Sequence, residues 1–268
     1  VNPVDVTMSM ARGARNQGVT IAQGVTVTDV TVRNGAVHSV VTDHGTIECE
    51  YVVNCAGMWA RQLGELSGVS IPLQAAEHYY LITEQMEGLD PSWPVIEDPS
   101  NFGYYREEVG GLMVGLFEPV CAPWKVDGIP GDSSFTTITP DWDRMGPYVE
   151  NAMSRVPVTL ETGIRTFFCG PESFTPDGNF ILGEAPELRN FFVGAGFNAF
   201  GIAAGGGAGK AHLVRRQQHG HALAREVAHD VEHFRDELGV ERRGDLVEQH
   251  HLWLHGQRPH DGDALLLA

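Results

Sequence analysis

Residues 19–57 alternate between apolar and polar positions and are interrupted by short turns that contain glycine. Alternation with a period of two predicts strands with one buried face. Asn34-Gly35 lies between two such stretches and is a strong hairpin signal, and His44-Gly45 separates the next pair. We therefore predict an antiparallel meander that leads into the apolar strand of "YVVNCAG".

Helices are predicted on both sides of this meander. Val6, Met10 and Ala14 recur at helical spacing before Gly18, which predicts an N-terminal helix that ends at that glycine. The segment after the meander, "MWARQLGELSG", predicts a second helix.

A second group of strands is predicted to begin at Pro72. Alternation marks three segments of it, which are "LQAAEHYYLITE", "FGYYREEVGGLMVGLFE" and "TGIRTFFCG". Between the last two, a helix is predicted for "PDWDRMGPYVENAMSRV". Val193–Gly196 is again a short apolar strand, and a helix is predicted to start near Gly201.

The chain is thus predicted to leave one domain, build another and return. Residues 1–72 and 185–215 form the first domain, and residues 73–184 form the second. Residues 216–268 form a divergent tail rich in His and Arg, with a helix near residues 221–236 and little fixed structure beyond Gly239.

Composition limits the kinds of molecule that the chain is expected to bind. The chain has 268 residues, of which 42% are hydrophobic and 20% charged, as in a globular protein. Its net charge of −17 disfavours nucleic acids and anionic membranes, so a small molecule is the expected partner. No apolar run reaches the length of about eighteen residues that a membrane span needs.

Cysteine and histidine spacing predicts no metal site. The four cysteines lie far apart, which predicts reduced thiols and a cytoplasmic location. His229 and His233 have the i, i+4 spacing of a metal-binding pair, but no third ligand accompanies them.

Phe191–Lys210, "FFVGAGFNAFGIAAGGGAGK", raises the question of nucleotide binding. A P-loop is excluded because Ala204 stands where its first glycine is required. A dinucleotide fingerprint is weakened because no acidic ribose ligand follows about twenty residues later. Tight strand–helix packing is the alternative. Backbone N–H groups at the helix start remain able to approach a polar or anionic ligand.

The turn in "VVNCAGMWA" raises the same question. Cys55-Ala56-Gly57 would let a flat ligand lie against the backbone, and Trp59 follows immediately. The alternative is a packed turn with Trp59 in the core.

Three segments, taken together, resemble the FAD-dependent amine oxidoreductases of the D-amino-acid-oxidase-like superfamily, in the branch of the dimethylglycine and sarcosine dehydrogenases and oxidases. They are "VVNCAGMWARQLGELSGVSIPLQAAEHYYLITE", "YYREEVGGLMVG" and "ESFTPDGNFILGEAPELRNFFVGAGFNAFGIAAGGGAGKA". The resemblance runs from Asn2 to Ala211. It implies an α+β / α/β fold, with a partial FAD-binding domain of the GR2-like type and an antiparallel-sheet substrate domain. The implied function is oxidative demethylation of an N-methylated amino acid such as dimethylglycine or sarcosine, by hydride transfer to flavin N5.

The resemblance also implies which residues act. His78 and Tyr104 match positions that face the substrate above the flavin. The residues that match FAD-binding positions are Val27, Gly57, Trp59, Thr175, Pro176, Asp177, Phe197, Asn198, Ala199, Phe200, Gly201 and Ile202.

Strand alternation bears on the same substrate residues independently. It puts His78 and Tyr80 on one face and Tyr79 on the other. Arg106 shares the face of Tyr104, where it would pair with a substrate carboxylate. The alternatives are a surface or core His78, a Tyr104 that only packs, and an exposed strand Arg106.

The sequence departs from the family at both ends. The GxGxxG unit, the acidic ribose ligand and the histidine that bonds covalently to flavin are expected to lie outside this sequence, and the resemblance is expected to end at Ala211. The second hypothesis is therefore a truncated or non-catalytic fragment or subunit that binds no FAD alone and needs a partner chain to supply the ADP-binding unit. A glycine-rich interaction module is the third.

Overall fold

The structure is a computed structural model that describes residues 2–217 and 264–267. The chain divides into two compact units. Pro72–Gly178 forms the second unit, and the chain before and after it forms the first. The first unit contains α1 (Pro3–Asn16), β1 (Val27–Arg33), β2 (Ala36–Thr42), β3 (Gly45–Glu48), β4 (Tyr51–Asn54), α2 (Ala60–Glu65), β10 (Ile181–Glu184), β11 (Phe191–Ala195), α4 (Gly201–Gln217) and β12 (Ala264–Leu267). The second contains β5 (Gln74–Thr83), β6 (Ile96–Asp98), β7 (Gly103–Glu108), β8 (Gly111–Leu116), α3 (Trp142–Ser154) and β9 (Ile164–Phe174).

The predicted meander is confirmed as a three-stranded antiparallel sheet in the order β1, β2, β3. Asn34 and Gly35 both have left-handed φ, 52° and 70°, as a two-residue hairpin of type I′ requires. The second hairpin turns at Asp43 and His44, because Thr42 pairs with Gly45.

The predicted N-terminal helix is confirmed as α1, and its ends follow from local chemistry. Asn2 caps it through Oδ1, which accepts hydrogen bonds from the N–H groups of Val4 at 2.9 Å and Asp5 at 3.3 Å. Gly18 follows with φ 87°, a left-handed stop.

The first unit also contains a four-stranded sheet in the order β10, β11, β4, β12. β4 is parallel to both β11 and β12, whereas β10 is antiparallel to β11. The chain returns to this unit at Asn179, earlier than the predicted residue 185, because β10 pairs with β11.

The expectation of little fixed structure beyond Gly239 is wrong for Ala264–Leu267, which forms β12. This short apolar run pairs with β4 through backbone hydrogen bonds, a contact between distant parts of the chain that local patterns do not reveal. The helix predicted near residues 221–236 lies outside the described residues.

The second unit is a five-stranded antiparallel sheet in the order β6, β7, β8, β5, β9. The predicted helix is confirmed as α3, which Asp141 caps by accepting a hydrogen bond from the Arg144 N–H at 3.0 Å. α3 covers one face of the sheet. The core between them is built from Tyr79, Leu81, Tyr105, Leu112, Val114, Leu116, Met145, Val149, Ala152, Met153 and Cys169. The short edge strand β6 is a finding that the sequence did not predict.

In the described part of the chain, no helix is long and apolar enough to cross a membrane. Nor does this part of the chain bring together three or more His, Cys, Asp or Glu side chains that would hold a metal ion. His229 and His233 lie outside the described residues.

Candidate active site

The face of the five-stranded sheet opposite α3 is lined with aromatic rings, and we call it the aromatic face. It is defined by His78, Tyr80, Tyr104, Phe117, Phe168 and Phe174, all half-buried. Tyr79 lies on the other side and is fully buried in the core. The strand register thus separates Tyr79 from His78 and Tyr80, as the alternation along β5 predicts.

His78 lies between two phenylalanine rings of the aromatic face. Its ring centroid is 4.8 Å from that of Phe117 and 5.8 Å from that of Phe174. Burial lowers the pKa of His78 to about 4, so the imidazole is neutral at physiological pH. A neutral imidazole offers one donor and one acceptor nitrogen to a ligand.

Tyr104 lies against the backbone of β8 because that strand carries a glycine beneath the ring. Gly115 pairs with Tyr104 on one side and with Tyr80 on the other. A Cβ built on Gly115 would overlap Cζ and Cε1 of Tyr104. The ring contacts Phe117 at a centroid distance of 5.6 Å. Burial raises the pKa of Tyr104, which keeps its phenol protonated.

Arg106 also lies on the aromatic face, two residues after Tyr104, and is already paired. Its Nη2 lies 2.6 Å from Oε2 of Glu108, and its Nε donates to Sδ of Met113 at 3.3 Å. The charges of this pair act on the nearby Tyr80. Burial is the main cause that raises the pKa of the Tyr80 phenol; the charge of Glu108 raises it further, and the charge of Arg106 lowers it. Tyr80 and Glu108 are site candidates that were not predicted from the sequence, although alternation places both on this face.

The neutral His78 predicts a specific dependence of stability on pH. Because its folded pKa lies below the ordinary value of 6.5, protonation favours the unfolded chain. The contribution of the neutral His78 to the free energy of unfolding is present above pH 6.5 and is lost as the pH falls through about 4. We expect His78→Phe, which keeps a ring between Phe117 and Phe174, to reduce the acid-induced loss of unfolding free energy in this window, measured by urea titration. An unchanged pH slope would contradict a buried, neutral His78.

In the first unit, Asn54 holds the turn that follows β4. It is fully buried, its Nδ2 donates to the Ala60 carbonyl at 2.8 Å, and its Oδ1 accepts from the Ala56 N–H at 3.2 Å. Gly57 follows with φ 54°, and a Cβ there would meet open space. The turn therefore presents bare backbone next to the half-buried Trp59. A polar residue that ends an apolar strand is the signal in the sequence that would have found Asn54.

The turn between β11 and α4 has an unusual backbone. Gly196, Asn198 and Ala199 have left-handed φ of 68°, 51° and 70°. Such values are strained for Asn and Ala, and they concentrate at functional sites. The Asn198 Nδ2 donates to the Gly196 carbonyl at 2.7 Å and helps to fix the turn. α4 then starts at Gly201, with Phe200 and Ile202 exposed at its first turn.

The two turns lie at the same edge of one sheet. β4 and β11 are adjacent and parallel, with Val193 paired to Asn54, so their carboxyl ends are neighbours. Ligands of α/β sheets bind outside the carboxyl ends of the strands. The first amides of α4 have no partner within the helix, and Phe200 before them has no side-chain acceptor. Nearby, the rings of Phe180 and Phe197 stack at 5.2 Å.

These features fit the flavin end of FAD. Bare backbone at Gly57 and the amino end of α4 suit a flat polar ring whose reduced form is negatively charged.

The remaining predicted cofactor residues are placed as follows. Val27 is half-buried in β1, Thr175 is buried at the end of β9, and Pro176 and Asp177 are exposed in a turn closed by a hydrogen bond from the Gly178 N–H to the Thr175 carbonyl at 3.2 Å. The Thr175 turn and the aromatic face belong to the second unit, and the other cofactor candidates belong to the first.

Known proteins resemble this chain along most of its length. Mouse sarcosine dehydrogenase is 37% identical over 243 residues, covering 89% of this chain and 26% of that protein. The 4-methylaminobutanoate oxidase (formaldehyde-forming) of Paenarthrobacter nicotinovorans is 40% identical over 210 residues, covering 78% and 25%. The pyruvate dehydrogenase phosphatase regulatory subunit of mouse is 39% identical over 214 residues, covering 78% and 24%. The chain thus spans about a quarter of the length of these curated relatives.

The similarity to mouse sarcosine dehydrogenase extends past Ala211, where the resemblance was expected to end, since 89% of 268 residues exceeds 211. A solved structure, the L-proline dehydrogenase of P. horikoshii, matches with a TM-score of 0.67 and 20% identity, covering 90% of this chain and 62% of that one. At that identity the match shows the fold, and it confirms the predicted fold class.

The family described as "DAO: FAD dependent oxidoreductase" matches residues 1–214. This match covers the β4 and β11 turns and the aromatic face together. The chain belongs to the DAO family of FAD-dependent oxidoreductases.

Proposed function

We propose that the protein carrying this chain oxidises an N-methylated amino acid such as dimethylglycine or sarcosine. The N-methyl group would be oxidised by two electrons to an iminium, which water hydrolyses to formaldehyde and the demethylated amine. Bound FAD supplies the two-electron acceptor for this reaction. The names of two relatives, sarcosine dehydrogenase and a formaldehyde-forming 4-methylaminobutanoate oxidase, support this chemistry.

The observation that carries the proposal is that the neutral His78 and Tyr104 both pack against Phe117 on the aromatic face. An amine must be unprotonated to give up hydride from its methyl carbon, because the nitrogen lone pair stabilises the resulting iminium. Aromatic surroundings lower the pKa of an ammonium group by excluding water. His78 accepts a hydrogen bond from the amine or its proton, and the Tyr104 phenol orients the substrate nitrogen.

Residues of the first unit would hold the flavin. The turn at Gly57 offers backbone without a side chain, and the amino end of α4 offers N–H donors to the flavin. Trp59 and Phe197 would flank the cofactor at these turns. These roles follow the resemblance residue by residue and rest on the adjacency of β4 and β11.

A second candidate is a non-catalytic chain. The regulatory subunit from mouse is 39% identical, as similar as the enzymes are, so identity alone does not separate the two functions. On this hypothesis, a partner chain supplies the ADP-binding part, or the chain binds no FAD alone.

The experiment that separates the two candidates begins with FAD titration of the purified chain, followed by flavin fluorescence and visible absorbance. The complex is then mixed anaerobically with dimethylglycine, sarcosine or 4-methylaminobutanoate, with glycine as the unmethylated control. We expect the visible flavin band to bleach, and formaldehyde to form, with methylated amines only. Binding of FAD without bleaching by any methylated amine would overturn the proposed reaction, and failure to bind FAD would favour the second candidate.

Location and macromolecular partners stay predictions. The expected cytoplasmic location rests on cysteine spacing, and the expected lack of nucleic-acid and membrane partners rests on the net charge of −17. A small amine or amino acid is the proposed ligand, in line with the relatives named after such substrates.

A further inference from the structure

Glu108 pairs with Arg106, the arginine that is expected from the sequence to bind a substrate carboxylate. The Nη2 of Arg106 lies 2.6 Å from Oε2 of Glu108. Both side chains are about one-third exposed, so the pair is accessible to a ligand. Among the residues whose side chains the structure describes, Glu108 is the carboxylate that pairs with Arg106, and Nη1 has no protein partner.

The backbone fixes this pairing. Arg106 and Glu108 are two residues apart on β7 and therefore point to the same side of the sheet. Val109 and Gly110, with left-handed φ of 51° and 81°, close a tight hairpin, because Glu108 pairs with Gly111. Met113, buried on the facing strand, accepts a hydrogen bond from Arg106 Nε through its Sδ atom at 3.3 Å.

A substrate carboxylate would compete with Glu108 for the guanidinium. Arginine binds a carboxylate best through two parallel N–H donors. Here one of the two outer nitrogens is occupied, so bidentate binding requires Glu108 to move, and monodentate binding at Nη1 leaves two carboxylates side by side. Either way, Glu108 weakens the binding of an anionic ligand and leaves the binding of a neutral ligand unaffected.

We propose that Glu108 determines specificity at this site by setting how tightly Arg106 binds the carboxylate of an amine substrate. The inference rests on the proposed function in one respect, the amino-acid substrate, whose carboxylate Arg106 is expected to bind. Glu108→Gln keeps the size and one acceptor of the side chain but removes the competing charge. We expect it to strengthen binding of a carboxylate ligand by about two- to fivefold, the range of partly exposed ion pairs.

The test compares two ligands that differ in charge. Methoxyacetate has the shape of sarcosine, with an ether oxygen in place of the amine, and methoxyacetamide replaces its carboxylate with a neutral amide. Their dissociation constants are measured by calorimetry on the FAD-loaded protein. Glu108→Gln is expected to lower the constant for methoxyacetate about threefold and to leave that for methoxyacetamide unchanged. Arg106→Gln is expected to abolish the preference for methoxyacetate.

Glu107→Gln is the matched control. Glu107 precedes Glu108 on β7, points to the other face and accepts from the Gly110 N–H at 2.7 Å, which an amide oxygen also does. Glu107→Gln removes the same unit of charge as Glu108→Gln from a chain of net charge −17. It therefore measures how far anion binding improves merely because the protein is less negative. Equal shifts in the two variants, or no preference for methoxyacetate in the wild-type protein, would overturn the inference.

The ligand pair also separates this inference from the proposed function. Binding of methoxyacetate requires no turnover, so a protein that discriminates the two ligands through Arg106 and Glu108 supports the inference even if no methylated amine is oxidised. Conversely, oxidation of dimethylglycine with an unchanged ligand ratio in Glu108→Gln keeps the reaction and rejects the role of Glu108.

Discussion

For the reaction proposed above, Gly115→Ala is expected to lower kcat/KM for dimethylglycine by about a hundredfold, the cost of misplacing a proposed catalytic group, Tyr104, by about 1 Å. The new methyl group would overlap the Tyr104 ring, which lies directly over this position of β8. β8 is buried along its whole length, so the ring and not the strand has to move. Overpacking of this kind also costs about 1–3 kcal/mol of unfolding free energy.

The control for this variant is Gly131→Ala. A Cβ at Gly131 meets nothing within 4 Å, so this change is expected to alter stability by less than about 0.5 kcal/mol. The decisive comparison is the double variant with Tyr104→Ala, which removes the ring that the methyl group displaces. In that background we expect Gly115→Ala to lose most of its effect on both stability and activity. Additive effects would show that the methyl group acts elsewhere.

Arg144→Met is expected to destabilise the protein by about 2–4 kcal/mol, below the range for removing one partner of a fully buried ion pair because Arg144 is partly exposed. Arg144 joins α3 to the sheet: its Nη2 lies 2.6 Å from Glu77 Oε2 and its Nη1 lies 2.9 Å from Glu118 Oε1. The Glu118 side chain is only 2% exposed, so without Arg144 its charge would be buried and uncompensated. Burial already raises the pKa of Glu118, with Arg144 opposing this shift.

The measurement is urea unfolding at neutral pH, with Arg155→Met as the control. Arg155 follows the same helix and pairs with Asp98 at 2.9 Å, but its side chain is 65% exposed. The Asp98 side chain is only 10% exposed, but it keeps its hydrogen bond from Asn101 Nδ2 when Arg155 is removed, so the control is expected to lose less than Arg144→Met. Equal losses of unfolding free energy in the two variants would mean that burial does not strengthen the ion pairs of Arg144 with Glu77 and Glu118.

Much of the fold was predictable because its signals are local. Asn34-Gly35 specifies a two-residue turn through the φ values that both residues tolerate, and Gly18 stops α1 for the same reason. Alternation along β5 predicted that His78 and Tyr79 lie on opposite faces. The boundary near Pro72 was visible as a change of pattern, whereas the return at Asn179 was not, since it depends on β10 pairing with β11.

The site was predictable only in part. The resemblance selected His78, Tyr104 and the turns after β4 and β11, and alternation added Arg106. It did not select Asn54, whose buried amide fixes the β4 turn, or Glu108, whose carboxylate pairs with Arg106. β12 was missed because four apolar residues carry no periodicity.

By itself, the sequence determined where most of the strands, turns and helices form and which side chains share a strand face, because these properties depend on neighbours a few residues away. Only the tertiary structure decided that Gly115 lies beneath Tyr104, that the turns after β4 and β11 are adjacent, and that Arg144 reaches Glu118. Each of these contacts joins residues that are distant in the chain, and strand register and helix packing set which of them meet.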